Sequence, residues 1–258
     1  MEFLLVHSPF LGPGVWTPLA SILIDRGHRV IVPDLRDSLG DSSPYEAMAR
    51  SACANADGQA HLIMHSGAGA LAPSIWAADQ RITRMIFLDA LLPHPDRSWS
   101  ATLPIAMAER LKDAVVAGLL PRWPDWLPTG VLEQLIPDDD LRVVVAAEAV
   151  AAPLAFATAK APRVVGWEGA ATCRYIQLSD AYDREAKKAA EVGMAVDRFD
   201  GAHFSMVSTP AAVADLLLRA VPSGQSPARK LVSGKDSIGD PFAGFGRASR
   251  RRRAEPRC

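Results

Sequence analysis

The sequence predicts an α/β fold: a mostly parallel, doubly wound sheet with a helical cap inserted between its strands. Two features lead to this. Short, continuous apolar runs alternate with amphipathic segments at the spacing of strand–helix–strand crossovers, which are right-handed in parallel sheets. That rhythm then breaks between residues 91 and 172, a stretch rich in Pro, Trp and Ala with no clear strand, which reads as the cap.

Taken in order, Glu2 to His7 is the first strand, its Phe3-Leu4-Leu5-Val6 run apolar throughout as a central parallel strand should be. A Pro/Gly loop from Ser8 to Gly14 leads to an amphipathic helix, Trp16 to Arg26, stopped by Gly27. His28 to Leu35 is the second strand, and Pro44 to Ala56 the second helix. The apolar run Leu62 to Met64 then enters His65-Ser66-Gly67-Ala68-Gly69, and a helical segment runs from Ala70 to Ala78. Arg84 to Asp89 is the fourth strand, Cys173 to Ser179 the fifth and Ala195 to Asp200 the last. Helices cover Ala181 to Val192 and Thr209 to Val221, the latter with Pro210 in its first turn.

Bulk properties narrow the class. The chain has 258 residues, of which 49% are hydrophobic, enough for one large α/β domain at residues 1–221. No apolar run reaches membrane-spanning length, and the N-terminus has neither a basic region nor a cleavage signal, so a soluble, cytoplasmic protein without membrane partners is expected. Cys53, Cys173 and Cys258 are scattered, which suits a reducing compartment and suggests neither a disulfide framework nor a zinc site. From Pro222 onward nine Lys/Arg stand against three Asp/Glu, so a basic tail follows an acidic body. The tail is Gly/Ser/Pro-rich and reads as a disordered, solvated appendage rather than a nucleic-acid contact.

The chemistry centres on Ser66. A strand, a sharp turn through small residues and a helix push its hydroxyl out at the sheet tip, with helix N–H groups beneath it. A Ser hydroxyl needs a base, and the base needs a carboxylate to orient it. His203, in Asp200-Gly201-Ala202-His203-Phe204 just past the last strand, is the expected base. Asp180, directly after the fifth strand, is the chosen acid; Asp183 and Asp89 are its rivals. The oxyanion donors are expected to be the N–H groups of Gly67 and Phe10, because Pro9 has none to offer. His7 is expected to brace the loop that follows it. Trp99, Trp123 and Trp126, with Phe156, are candidate walls of an apolar pocket, packing of cap on core being their alternative role. No metal site and no cofactor are called for.

With these residues placed, the chain resembles the α/β-hydrolase fold family over about residues 2 to 221. His7-Ser8-Pro9 with Gly12 and Trp16 looks like its first strand and oxyanion loop, Val32-Pro33-Asp34-Leu35 like its second strand end, and Gly201-Ala202-His203 with Pro210 like its His loop. His65-Ser66-Gly67-Ala68-Gly69 looks like the elbow of a bacterial esterase-like branch. The sequence departs from the family pattern where Met64 replaces a usual Gly and Ser8-Pro9 replaces a His-Gly pair. The resemblance implies a serine hydrolase acting on a small, mostly apolar ester or lactone. It also leaves open a lyase or C–C bond hydrolase on the same fold, or a non-catalytic ligand-binding protein.

Overall fold

The computed structural model describes residues 1–56 and 59–221. The basic tail expected to be disordered lies outside the described residues. Six strands form one parallel sheet: β1 (Glu2–Val6), β2 (Arg29–Ile31), β3 (Ala60–Ser66), β4 (Arg84–Ala90), β5 (Thr172–Gln177) and β6 (Ala195–Arg198). Their spatial order is β2-β1-β3-β4-β5-β6, and every neighbouring pair is parallel.

The continuous apolar character of the strands has a direct cause. Successive side chains point to opposite faces, and helices cover both. Leu4, Val6, Leu62, Met64, Met85 and Phe87 enter one buried core. Phe3, Leu5, Ile63, Ile86, Leu88 and Ile176 enter the other. Each fully buried side chain of this kind contributes about 1.5–3 kcal/mol relative to exposure. On the first face lie α2 (Pro44–Cys53) and α3 (Ala72–Ala78), which supply Met48 and Ile75. On the second lies α1 (Thr17–Asp25), which supplies Leu19 and Leu23.

Between β4 and β5 the chain forms only helices and isolated bridges: α4 (Ile105–Asp113), α5 (Val131–Leu135), α6 (Asp139–Glu148), α7 (Leu154–Thr158) and α8 (Trp167–Ala170). This insertion is tied to the loop after β1. Gly14 N–H donates to Glu148 Oε2 at 2.6 Å, and Val150 N–H donates to the Phe10 carbonyl at 3.3 Å. The remaining helices, α9 (Asp183–Glu191), α10 (Ser205–Ser208) and α11 (Pro210–Ala220), complete the alternation.

The second strand is shorter than the sequence suggests. It pairs only over Arg29–Ile31, and Pro33, which lacks an N–H, stands two residues beyond that end. No helix among the described residues is long and apolar enough to cross a membrane.

Candidate active site

Ser66 ends β3 with φ 56° and ψ −127°, a conformation that costs a non-glycine residue energy. A tight 3₁₀ turn, Gly67–Leu71, follows and runs into α3. Gly69 is required there: a Cβ on it would lie 2.0 Å from the Leu91 carbonyl oxygen. The small residues of the motif thus let the turn press against the end of β4.

The pairing of β3 with β4 slips at this point. His65 pairs with Leu88 but Ser66 pairs with Ala90, so Asp89 is bulged out, at φ 44°. A bulge re-aims its side chain. The Asp89 carboxylate is fully buried. Its Oδ1 accepts N–H bonds from Leu178 at 2.8 Å and Ser179 at 3.1 Å. Its Oδ2 accepts from the Ser179 hydroxyl at 2.6 Å and from His203 Nδ1 at 2.7 Å. With Nδ1–H committed to a carboxylate, the lone pair of the His203 ring lies on Nε2.

The carboxylate that meets His203 is therefore Asp89, and the expectation of Asp180 is corrected. Asp180 is 81% exposed and pairs with Arg198. Asp183, the other rival, accepts from Gln177 and pairs with Arg198. Beyond the end of β5, Asp180 opens the turn that leads into α9 and Asp183 is the first residue of that helix, and there carboxylates turn outward to solvent and basic neighbours. Asp89 reaches the imidazole because the bulge points it across toward the loop after β5.

His203 sits in a turn that needs Gly201, whose Cβ would meet the Phe199 ring and the Ser205 hydroxyl at 2.5 Å. Its ring lies between two others. His65 is 4.3 Å away, centroid to centroid, and Tyr182 stacks on it at 4.9 Å with 9° between planes. His65 Nε2–H donates to the His203 carbonyl at 2.9 Å. Burial, then the neighbouring His203, holds the His65 imidazole well below its usual range, so it stays neutral.

The Ser66 hydroxyl has its hydrogen bond with the Tyr182 hydroxyl, at 3.1 Å. Tyr182 was not singled out in the sequence. A Tyr one turn past a strand carries no motif, and only its contacts with Ser66 and His203 mark it. Burial pushes its phenol well above the usual tyrosine value, so it carries its proton.

The loop after β1 faces the elbow. A Cβ on Gly67 would stand 3.2 Å from Ser8 Oγ and 3.3 Å from Pro9 Cδ. Phe10 N–H reaches Ser8 Oγ at 3.5 Å, a long contact, so the Ser8 hydroxyl lies beside both expected oxyanion donors. His7 braces this loop as expected. Its Nδ1–H donates to the Ser8 carbonyl at 2.8 Å, and its Nε2 accepts Leu35 N–H at 3.2 Å. That pair of bonds fixes the neutral tautomer, and burial holds its pKa at about 4.

The expected aromatic walls divide. Trp99 and Trp126 are buried around Phe10, with ring centroids 4.4 and 4.8 Å from it, and Phe156 joins them at 5.7 Å. They pack the helical insertion onto the β1 loop. Trp99 also walls a cavity of about 300 Å³ with Leu103, Leu111, Leu120 and Leu154. Trp123 packs instead on Phe204, next to His203, at 5.3 Å. Among the described residues no group of three His, Cys, Asp or Glu could hold a metal ion.

A parallel sheet whose central strand ends in a strained Ser at a strand-to-helix turn defines an α/β enzyme of the hydrolase class. The chain belongs to the alpha/beta hydrolase family, whose model matches residues 3–216, and that membership makes it a hydrolase enzyme. No curated protein sequence matches it. Its fold is similar to that of an extracellular alpha/beta-hydrolase from a Paenibacillus species, described as sharing structural and functional homology with tobacco salicylic acid binding protein 2. That match has 19% identity and a TM-score of 0.68, covering 85% of this chain and 98% of the other. It is also similar to a pyrethroid hydrolase from Sphingobium faniae JZ-2, at 20% identity and TM-score 0.67, covering 86% and 98%. Polyneuridine aldehyde esterase is similar at 20% identity and TM-score 0.67, covering 86% and 99%.

Proposed function

We propose that this hydrolase cleaves a small, mostly apolar ester or lactone through an acyl-enzyme, with Ser66 as nucleophile, His203 as general base and Asp89 as the carboxylate that orients it. The observation that carries this reading is the 2.7 Å bond from His203 Nδ1 to buried Asp89, which leaves Nε2 as the ring's basic nitrogen, while Tyr182, stacked on His203 and bonded to the Ser66 hydroxyl, ties the imidazole to the strained Ser66. His203 takes the Ser66 proton as Oγ attacks the carbonyl, then delivers it to the departing alcohol oxygen; water, deprotonated by the same nitrogen, releases the acid. Gly67 N–H and Phe10 N–H receive the oxyanion, and the Ser8 hydroxyl beside them is a further donor. Phe10, an expected oxyanion donor, is ringed by Trp99, Trp126 and Phe156, and these apolar rings beside the oxyanion loop support an apolar acyl group.

A fluorophosphonate should label the wild-type chain at Ser66, and Ser66→Ala should lose both labelling and p-nitrophenyl butyrate turnover. A labelled Ser66→Ala chain would refute the nucleophile. One observation favours a second reading, general-base lyase or C–C bond chemistry: the hydroxyl of Ser66 bonds Tyr182 rather than the imidazole. Turnover that survives Ser66→Ala and vanishes in His203→Ala would select it.

A further inference from the structure

Tyr182 approaches Ser66 from a defined side. The sheet order puts β1 on one flank of β3 and β4, β5 and β6 on the other. The oxyanion loop follows β1. His203 follows β6 and Tyr182 follows β5, so both reach Ser66 from the opposite flank. In the tetrahedral intermediate, the oxygen on that flank is the departing one, because the protonated imidazole must reach it.

We propose that Tyr182 is a catalytic residue that donates a hydrogen bond to the leaving-group oxygen, and that it suits this enzyme to unactivated alkyl esters. The inference rests on the serine-esterase reading. The phenol is 3.1 Å from the Ser66 oxygen, and its ring is held flat against His203, so its hydroxyl stays on the leaving-group side. During acylation the Ser66 Oγ–acyl bond forms and the bond to the alcohol oxygen breaks. That oxygen takes the proton carried by His203 Nε2. Tyr182 keeps its own proton, which its burial favours, and shares it with the oxygen as negative charge builds there. An alkoxide needs that help; a nitrophenolate, stable as an anion, needs it far less.

Tyr182→Phe keeps the ring stacked on His203 and removes only the hydroxyl. The experiment compares kcat/KM of the full-length wild-type and variant chains on ethyl butyrate and p-nitrophenyl butyrate, alongside thermal melting to show that the variant folds. The variant should lose about 10- to 100-fold more on the ethyl ester than on the nitrophenyl ester, the weight of one hydrogen bond to a charged oxygen. Equal losses on the two esters would show a positioning effect through the His203 stack and overturn the proposal, as would no loss on either. A wild-type chain that neither reacts with a fluorophosphonate nor turns over an ester fails at the earlier step. That result refutes the esterase reading itself, and this inference with it.

Discussion

Exchanging Asp89 for Asn alters one atom in a fully buried group that accepts four hydrogen bonds. An amide accepts on one side and donates on the other. Its oxygen is best turned to the two fixed backbone N–H groups of Leu178 and Ser179, since these cannot rotate away. Its NH₂ then faces Ser179 Oγ, which can turn to accept, and His203 Nδ1, which must give up its proton to do so. The imidazole is left with its proton on Nε2, the wrong tautomer for a base. In serine proteases the equivalent exchange lowers kcat about 10⁴-fold, or about 5.5 kcal/mol of barrier. Asp89→Asn should therefore lose about 10³- to 10⁴-fold in kcat/KM on p-nitrophenyl butyrate at pH 7.5. The weaker bonds of a neutral group should also cost about 1–3 kcal/mol of stability, visible in a urea melt of a chain that still folds. Asp180→Asn removes only an exposed pair with Arg198 and should change kcat/KM by less than about twofold. An Asp89→Asn enzyme that keeps more than about a tenth of wild-type activity, or an Asp180→Asn enzyme as crippled as Asp89→Asn should be, would refute the assignment.

Two further outcomes concern stability. Burial holds His7 and His61 at about 4 in the folded chain, against an ordinary 6.5. Between those values the unfolded chain binds protons that the folded chain refuses. Stability is therefore full above about pH 6.5 and falls as the pH drops toward 4; fully buried His7 alone contributes a loss of about 3 kcal/mol. Urea midpoints measured from pH 7.5 to 4.5 should fall steadily, and a flat or rising series would contradict this. Phe10→Ala empties the centre of the Trp99, Trp126 and Phe156 cluster and should cost about 3–5 kcal/mol. A melting temperature lowered by on the order of 10 °C is expected, whereas a drop below about 2 °C would mean that the insertion packs on the β1 loop by other contacts.

The strands and the elbow were legible because their causes are local. Two covered faces demand an unbroken apolar run, and a close approach at Gly69 demands small residues after Ser66. His203 was legible for a similar reason, since the Gly201 turn places it one step past the last strand. The acid was not. Proximity to a strand end favoured Asp180, but which carboxylate turns inward depends on a register slip between β3 and β4 that no stretch of sequence displays. Asp89, which also ends a strand, is a rival to Asp180 on sequence alone; only its pairing across to β3 sets it apart. Tyr182 lies further still from legibility: its significance consists entirely of two contacts with residues 21 and 116 positions away. The role of His7 could be read from its place before the Pro-containing loop, though the Leu35 N–H that completes its grip could not.

The backbone angles at Ser66 and Asp89 carry a wider implication. Both non-glycine residues sit where a side chain is penalised, each by about 1–3 kcal/mol. They are bound together, since Leu91 N–H closes onto the Ser66 carbonyl at 2.9 Å. Glycine at Ser66 would relax the chain and yield a sturdier but inert molecule, whereas at Asp89 it would strand the four donors that the buried carboxylate holds. Directed evolution for heat tolerance alone would thus tend to erase the Ser66 side chain first, so any screen for hardier variants of this protein has to score turnover in the same round.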